Sequence, residues 1–283
     1  MSPSRDAPQP SDARRHPRPV GGFPGLLREW RMRRRLSQLD LALTSGVSQR
    51  HVSFLESGRA RPSRAMVLQL SEALDVPLRD RNGWLTAAGF APVFSSHSLE
   101  DPQMAQVMGA VSMMLSAHAP FPAVALDRAW NLVMANAPFE RLGAMLGDDL
   151  WTRVGGDRPN LMRLFFHPDG LRRHVVNWSE IGPLMWRRAQ READAAGGQA
   201  ARAVLEALAP LQDAEMLWSP VDTALVPVLP FALEVGGQRL SMFAVVATFG
   251  TAQDITADEL RIETLFPADA ATEALFRGAG DAA

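Results

Sequence analysis

The chain has no cysteine, no lysine and no tyrosine among its 283 residues. Without cysteine there is no disulfide and no thiolate chemistry, so the fold does not depend on oxidation. Without lysine, every basic side chain is Arg or His, a pattern that fits a GC-rich coding sequence rather than a mechanism. Long apolar runs are missing too. The best are 223–235 and 240–249, both shorter than the roughly 20 residues of a membrane-spanning helix, and Pro227 and Pro230 interrupt the first. The N-terminus has no apolar core of a secretory signal, so a cytoplasmic protein without membrane insertion is expected. Catalytic motifs are absent as well: no G-x-S-x-G, no H-E-x-x-H, no P-loop. His167, Asp169 and His174 invite a catalytic reading, but His167-Pro168-Asp169-Gly170 reads as a turn leading into a helix. No metal-ligand set stands out, and neither an enzyme nor a cofactor is expected.

What is present is an ordinary globular composition, 47% hydrophobic, on a chain long enough for two domains. The net charge of −2 conceals a split. Residues 1–91 carry 15 Arg against 8 acids, and residues 92–283 carry 14 Arg against 23. A basic third at +7 joined to a remainder at −9 is what a polyanion-binding head on a separate body would show. Asymmetry alone fits a solvated charged face equally well.

Residues 1–21 hold five prolines and four arginines with few apolar residues, so a disordered tail is expected. Residues 22–90 read as five short helices. The first, within 25–36, puts Leu26, Leu27, Trp30 and Arg31 near one stripe. Ser37 with Asp40 three residues on is an acidic capping box, opening a second helix with Leu39, Ala42 and Leu43 as its apolar residues. Gly46 gives a tight turn, Ser48 caps a third helix over 49–57, and Gly58 stops it. Helices over 64–74 and about 79–88 follow. Residues 91–103 read as a linker and 104–278 as a second domain. There the pattern predicts a helix over 104–118, a hairpin over 124–134 and a helix capped by Asn136. Helices at 161–167 and 171–196 come next, broken by Gly197-Gly198, with a further helix to about Ala209. Strands at 224–235 and 239–250 follow, then helices at 256–266 and 270–277. The expected fold class is an all-α five-helix domain followed by an α+β domain, an antiparallel sheet flanked by helices.

The stretch 37-SQLDLALTSGVSQRHVSFLESGRARPS-63 carries the chemistry. It is a capped helix, a glycine turn and a second capped helix. Val52 and Leu55 face inward, leaving Gln49, Arg50 and Ser53 outward at the N-terminal end. In a major groove Arg matches guanine O6/N7 and Gln matches adenine N6/N7. Phe54 either meets a thymine methyl or packs inward. His51 is a phosphate donor or simply solvent-facing. Gln38, Ser48, Arg59 and Arg61 are placed for phosphates. Arg33, Arg34 and Arg35 read as a solvated basic face.

With S-Q opening one helix, G-V-S at the turn and L-E-S-G-R after the next, residues 25–78 resemble the XRE/Cro-type helix-turn-helix. The resemblance implies a five-helix domain that binds double-stranded operator DNA as a homodimer. It also implies an ion pair between Arg31 and Glu56.

The segments 167-HPDGLRRHVVNW-178 and 248-TFGTAQDITADELRIETLFPAD-269 resemble the ligand-binding domain of MmyB-like transcription regulators, over about residues 100–277. The hairpin 124-VALDRAWNLVMAN-136 is similar to the start of a PAS-type domain. Together they imply a PAS-like sheet with a pocket on one face, and a fatty acid or similar apolar ligand. The residues themselves say less. Nine methionines from Met108 to Met242 suit an adaptable cavity, although Met and aromatics at helical spacing are more often ordinary core. Phe139, Leu142, Phe165, Phe166, Trp178 and Met185 are the candidate pocket residues. Arg172 or Arg173 either meets a carboxylate head group or forms a surface ion pair. A body that serves only as a protein-interaction and dimerisation module, without a small ligand, is the competing expectation.

Overall fold

The computed structural model describes residues 22–195, 199–212, 228 and 230–280. The chain divides into two compact units, Met1–Val93 and Phe94–Ala283.

The first unit contains five α-helices: α1 (Gly22–Arg33), α2 (Gln38–Ser45), α3 (Gln49–Glu56), α4 (Arg64–Ala73) and α5 (Leu78–Ala87). Serine begins three of them. The hydroxyls of Ser37, Ser48 and Ser63 accept from the backbone N–H groups of Asp40, His51 and Met66, each satisfying a donor that the helix start leaves open. The Asp40 carboxylate returns to Ser37 N at 2.8 Å, completing the capping box. Gly46, at φ +70°, ends α2 in the left-handed region that glycine enters without steric cost. The core joins Phe23, Leu27, Trp30, Leu41, Val52, Leu55, Val67, Leu70 and Trp84.

In α2 the inward residues are Leu41, Ala42 and Ser45, while the apolar Leu39 and Leu43 are exposed. Small Ala42 and Ser45 permit close approach, and Ser45 is satisfied by donating to Leu41 O at 2.6 Å. The arginine run is not merely solvated. Arg34 donates to Leu74 O and Asp75 O at 2.8 and 2.7 Å, binding the end of α1 to the carbonyls that end α4.

The second unit is an α+β fold around one antiparallel sheet. Its helices are α6 (Ala105–Ala117), α7 (Ala137–Met145), α8 (Leu150–Val154), α9 (Leu161–Phe166), α10 (Trp178–Ala195), α11 (Gln199–Leu208), α12 (Ile255–Glu259) and α13 (Ala270–Gly280). The strands are β1 (Ala123–Leu126), β2 (Leu132–Ala135), β3 (Phe231–Val235), β4 (Gln238–Thr248) and β5 (Arg261–Pro267). They pair in the order β2-β1-β5-β4-β3. Alternation gives the sheet two faces. Ala123, Ala125 and Ile262 pack against Val111 and Leu115 of α6. Val124, Leu126, Leu240 and Met242 join the larger core with α7 to α11.

The middle strand is the main departure from expectation. The predicted helix over 256–266 ends at Glu259, and Leu260 turns extended at φ −72°, ψ 136°. Apolar residues at 262, 265 and 266 fit a helical stripe locally. As β5, however, the segment pairs on both sides, with β1 and β4, so its backbone is satisfied along both edges. The predicted helix over 171–196 is also divided. Leu171–His174 forms a 3-10 turn, Val175 bridges to Leu233, and α10 begins only at Trp178. Helix α8 has no counterpart in the sequence reading. The tail, the Gly197-Gly198 break and the strand start at 224–227 lie outside the described residues.

Within the segment read as a linker, His97 is hydrogen bonded through Nδ1 to Asp254 at 2.8 Å, and Ser95 bridges to Asp254. Asp254 at the same time caps α12.

Candidate nucleic-acid interface and ligand site

Helix α3 is held from behind by a charged pair. Arg31 Nε and Nη2 donate to the two oxygens of Glu56 at 2.6 and 3.0 Å, a bidentate fork. The remaining Arg31 nitrogen donates to Leu36 O at 2.7 Å, and Gln38 Nε2 donates to Glu56 at 2.8 Å. The side chains of Arg31 and Glu56 are 13% and 5% exposed, so the pair is largely desolvated. Burial pushes the Glu56 carboxyl up, but the hydrogen bonds from Arg31 and Gln38 outweigh it and hold the group below the usual carboxylate range. The hydrogen bond to Glu56 in turn holds Arg31 above its ordinary value. The network joins α1, the start of α2 and the end of α3, so it sets the angle at which α3 is presented.

On the opposite side, Ser48, Gln49 and Arg50 are exposed, and Ser53 and Phe54 are half-buried. The Arg50 guanidinium sits 5.2 Å from the Phe54 ring centroid. Arg59 and Arg61 are exposed beyond the end of α3. Gln38 is shared: one amide hydrogen is used on Glu56, leaving the other outward-capable. Ser48, Gln49 and Arg50 stand exposed at the N-terminal end of this short helix, with Arg59 and Arg61 past its C-terminal end, on a domain with excess positive charge.

In the second unit, Phe165 and Phe166 meet Trp178 at 5.5 and 5.9 Å between ring centroids, and Phe166 meets Trp186 at 5.3 Å. Arg172 lies 5.0 Å over the Trp178 ring and donates to Leu211 O. Gly170 lets the preceding turn close here, because a Cβ at that position would fall 2.2 Å from Leu164 O. Phe139, Leu142 and Met185 belong to the same core. A groove of about 580 Å³ opens between β2 and α7–α8, lined by Leu132, Met134, Phe139, Glu140, Leu150 and Trp151 among others. Of the six predicted pocket residues, only Phe139 lines it; Phe165, Phe166 and Trp178 pack on one another.

Sequence reading missed a buried charged cluster under α10. Arg188 donates to Glu192 at 2.7 Å and to Glu263, Arg261 donates to Glu192, and Trp130 Nε1 donates to Glu192 at 2.8 Å. Burial pushes the Glu263 carboxyl above the usual range despite Arg188 beside it. Burial also acts on Glu192, but Arg188, Arg261 and Trp130 keep that carboxyl low. The signal was available in 261-RIE-263, where two charges spaced by two mark one face of a strand.

Comparison with protein families agrees with this arrangement. Residues 27–80 match a helix-turn-helix family model, and residues 107–278 match the MmyB-like transcription regulator ligand binding domain. The chain belongs to the MmyB-like transcription regulators. It is therefore a DNA-binding transcription regulator carrying a ligand-binding domain. A search of curated proteins finds no match for this MmyB-like chain. No described helix of the regulator is long and apolar enough to cross a membrane.

Proposed function

We propose that this regulator reads operator DNA as a homodimer, with Gln49 and Arg50 on base edges, Ser53 and Phe54 beside them, and Gln38, Ser48, Arg59 and Arg61 on phosphates. The observation that carries this reading is the exposed, serine-capped N-terminal end of α3, fixed from behind by the Arg31–Glu56 fork. Rigid support matters because a base contact is made within a few tenths of an ångström of hydrogen-bonding distance. Binding titrations of the full chain against operator variants at two salt concentrations test it. Sequence-independent binding would overturn the base-reading assignment.

The second unit, in this proposal, takes an apolar small molecule of the fatty-acid class on a PAS-like sheet. Support comes from the match to a ligand-binding domain, from a sheet with one face under α7 to α11, and from the groove at Phe139. A chain entering there lies against Leu132, Phe139 and Trp151. To reach Phe165, Phe166, Trp178 and Met185 beyond Leu142 it must part the aromatic cluster. Each methylene removed from water contributes about 0.8 kcal/mol, so a medium-length chain needs few polar contacts. A ligand regulates only if it favours one arrangement of the dimer over another. Native mass spectrometry of the purified protein, followed by operator titration with fatty acids of several lengths, tests both halves. Absence of any bound acyl chain overturns the ligand; unchanged operator affinity overturns its role as a switch. No enzymatic activity is assigned.

A further inference from the structure

Helix α6 is the first α-helix of the second unit, and no charged side chain occurs from Pro102 to Leu126. A surface helix ordinarily carries charge on its outer face. Here the inner face, Val111 and Leu115, packs on the sheet, while Met113 is 72% exposed and Met114 is 41% exposed. The exposed side continues onto β4. Gln106, Val107 and Ala110 line a cavity together with Phe249 and the paired His97 and Asp254, so that flank of α6 faces the end of β4. One and two turns further along that flank stand Met114 and Ala117, with Met113 beside them on the outward side of the helix. Two and four residues back from Phe249, on the same sheet face, stand Ala247 and Val245, the latter 47% exposed. Residues 240–253 contain no charge either. On β5 this face presents Ile262, Thr264 and Phe266, paired beside Ala247, Val245 and Phe243, while Glu263 faces Arg188 of α10 on the other side.

We infer that the α6–β4 face, centred on Met113 and Val245, is where the second unit meets a second copy of itself. The inference rests on the proposed homodimer and gives that dimer its surface. Charge selects the occupant. Residues 92–283 carry 9 more acids than arginines, so two such bodies repel over most of their surface. They approach without burying a carboxylate only across an uncharged face. A two-fold axis sets the same patch against itself, which a face free of charge satisfies without like-charge contact. Operator reading supplies the need for two copies, because a helix-turn-helix dimer spans two half-sites.

The test uses the full-length chain and analytical ultracentrifugation over a concentration series. Wild type is expected to be a dimer. Met113→Glu raises the dimer dissociation constant about tenfold or more by placing like charges across the axis. Mixing Met113→Glu with Met113→Lys restores a dimer, because the charges then oppose. Met145→Glu, at a 46% exposed methionine on α7, leaves the dimer unchanged. If Met113→Glu does not fold, Val245→Glu paired with Val245→Lys makes the same comparison. A monomeric wild type overturns the homodimer reading itself. A dimeric wild type with an equally tight Met113→Glu dimer overturns this surface alone.

Discussion

The Arg50 guanidinium rests 5.2 Å from the centre of the Phe54 ring, one helical turn along α3. The ring limits where the arginine goes, so in the proposed base-reading role less side-chain freedom would be lost on binding. It also gives half-buried Phe54 a definite contact, with its ring under an arginine.

Arg50→Ala is therefore expected to relax preference at one operator position, at a cost of about 1–3 kcal/mol for the preferred base pair. Phe54→Leu should weaken the same position by less, since the arginine stays and only its support goes. Arg59→Ala should instead weaken all sequences alike and reduce the salt dependence. Titrations over single-base operator variants distinguish these patterns, and equal losses on every sequence for Arg50→Ala would contradict the assignment.

Glu56→Ala removes the acceptor of Arg31 and Gln38 together. Stranding a largely buried arginine costs about 3 kcal/mol or more. Amide hydrogen exchange in the full chain should show α1 and α3 losing protection, with the second unit unchanged. Retained protection in α1 would mean the fork contributes little.

The same pair sets an acid limit. The Glu56 carboxyl is held below its ordinary value of about 4.3. Its contribution is fully present above that ordinary value and disappears as pH falls through the lowered one. Exchange protection of α3 should therefore drop on acidification below about pH 4. Glu56→Gln should flatten that part of the profile.

Arg188→Ala should destabilise the second unit by about 3 kcal/mol, because it leaves Glu263, only 3% exposed, without its cation. Replacing both members, as Arg188→Met with Glu263→Gln, should cost less than Arg188→Ala alone. Thermal unfolding followed by near-ultraviolet circular dichroism checks the order of the two variants. A double variant less stable than the single one would show that the cluster acts through more than this pair.

The first unit was legible in the sequence because its determinants are local. Ser37, Ser48 and Ser63 cap helices using donors three residues away, and Gly46 turns the chain by its own conformational freedom. The outward set on α3 follows from helical period alone. The partner of Arg31 came only through family resemblance, since Glu56 lies 25 residues distant and periodicity does not connect them. In the second unit, Asn136 was found as a cap for the same local reason. What tertiary structure decided was the state of 261-RIETLFP-267, whose apolar spacing suits a helix as well as a strand. Only the flanking edges of β1 and β4 offer it hydrogen bonds on both sides, and only then do Arg261 and Glu263 reach α10. Pairing between strands more than a hundred residues apart, Val124 with Glu263, leaves no trace in a local window. For the same reason, it took the folded sheet to set helix α6, which carries no charge, beside the uncharged stretch 240–248 of β4.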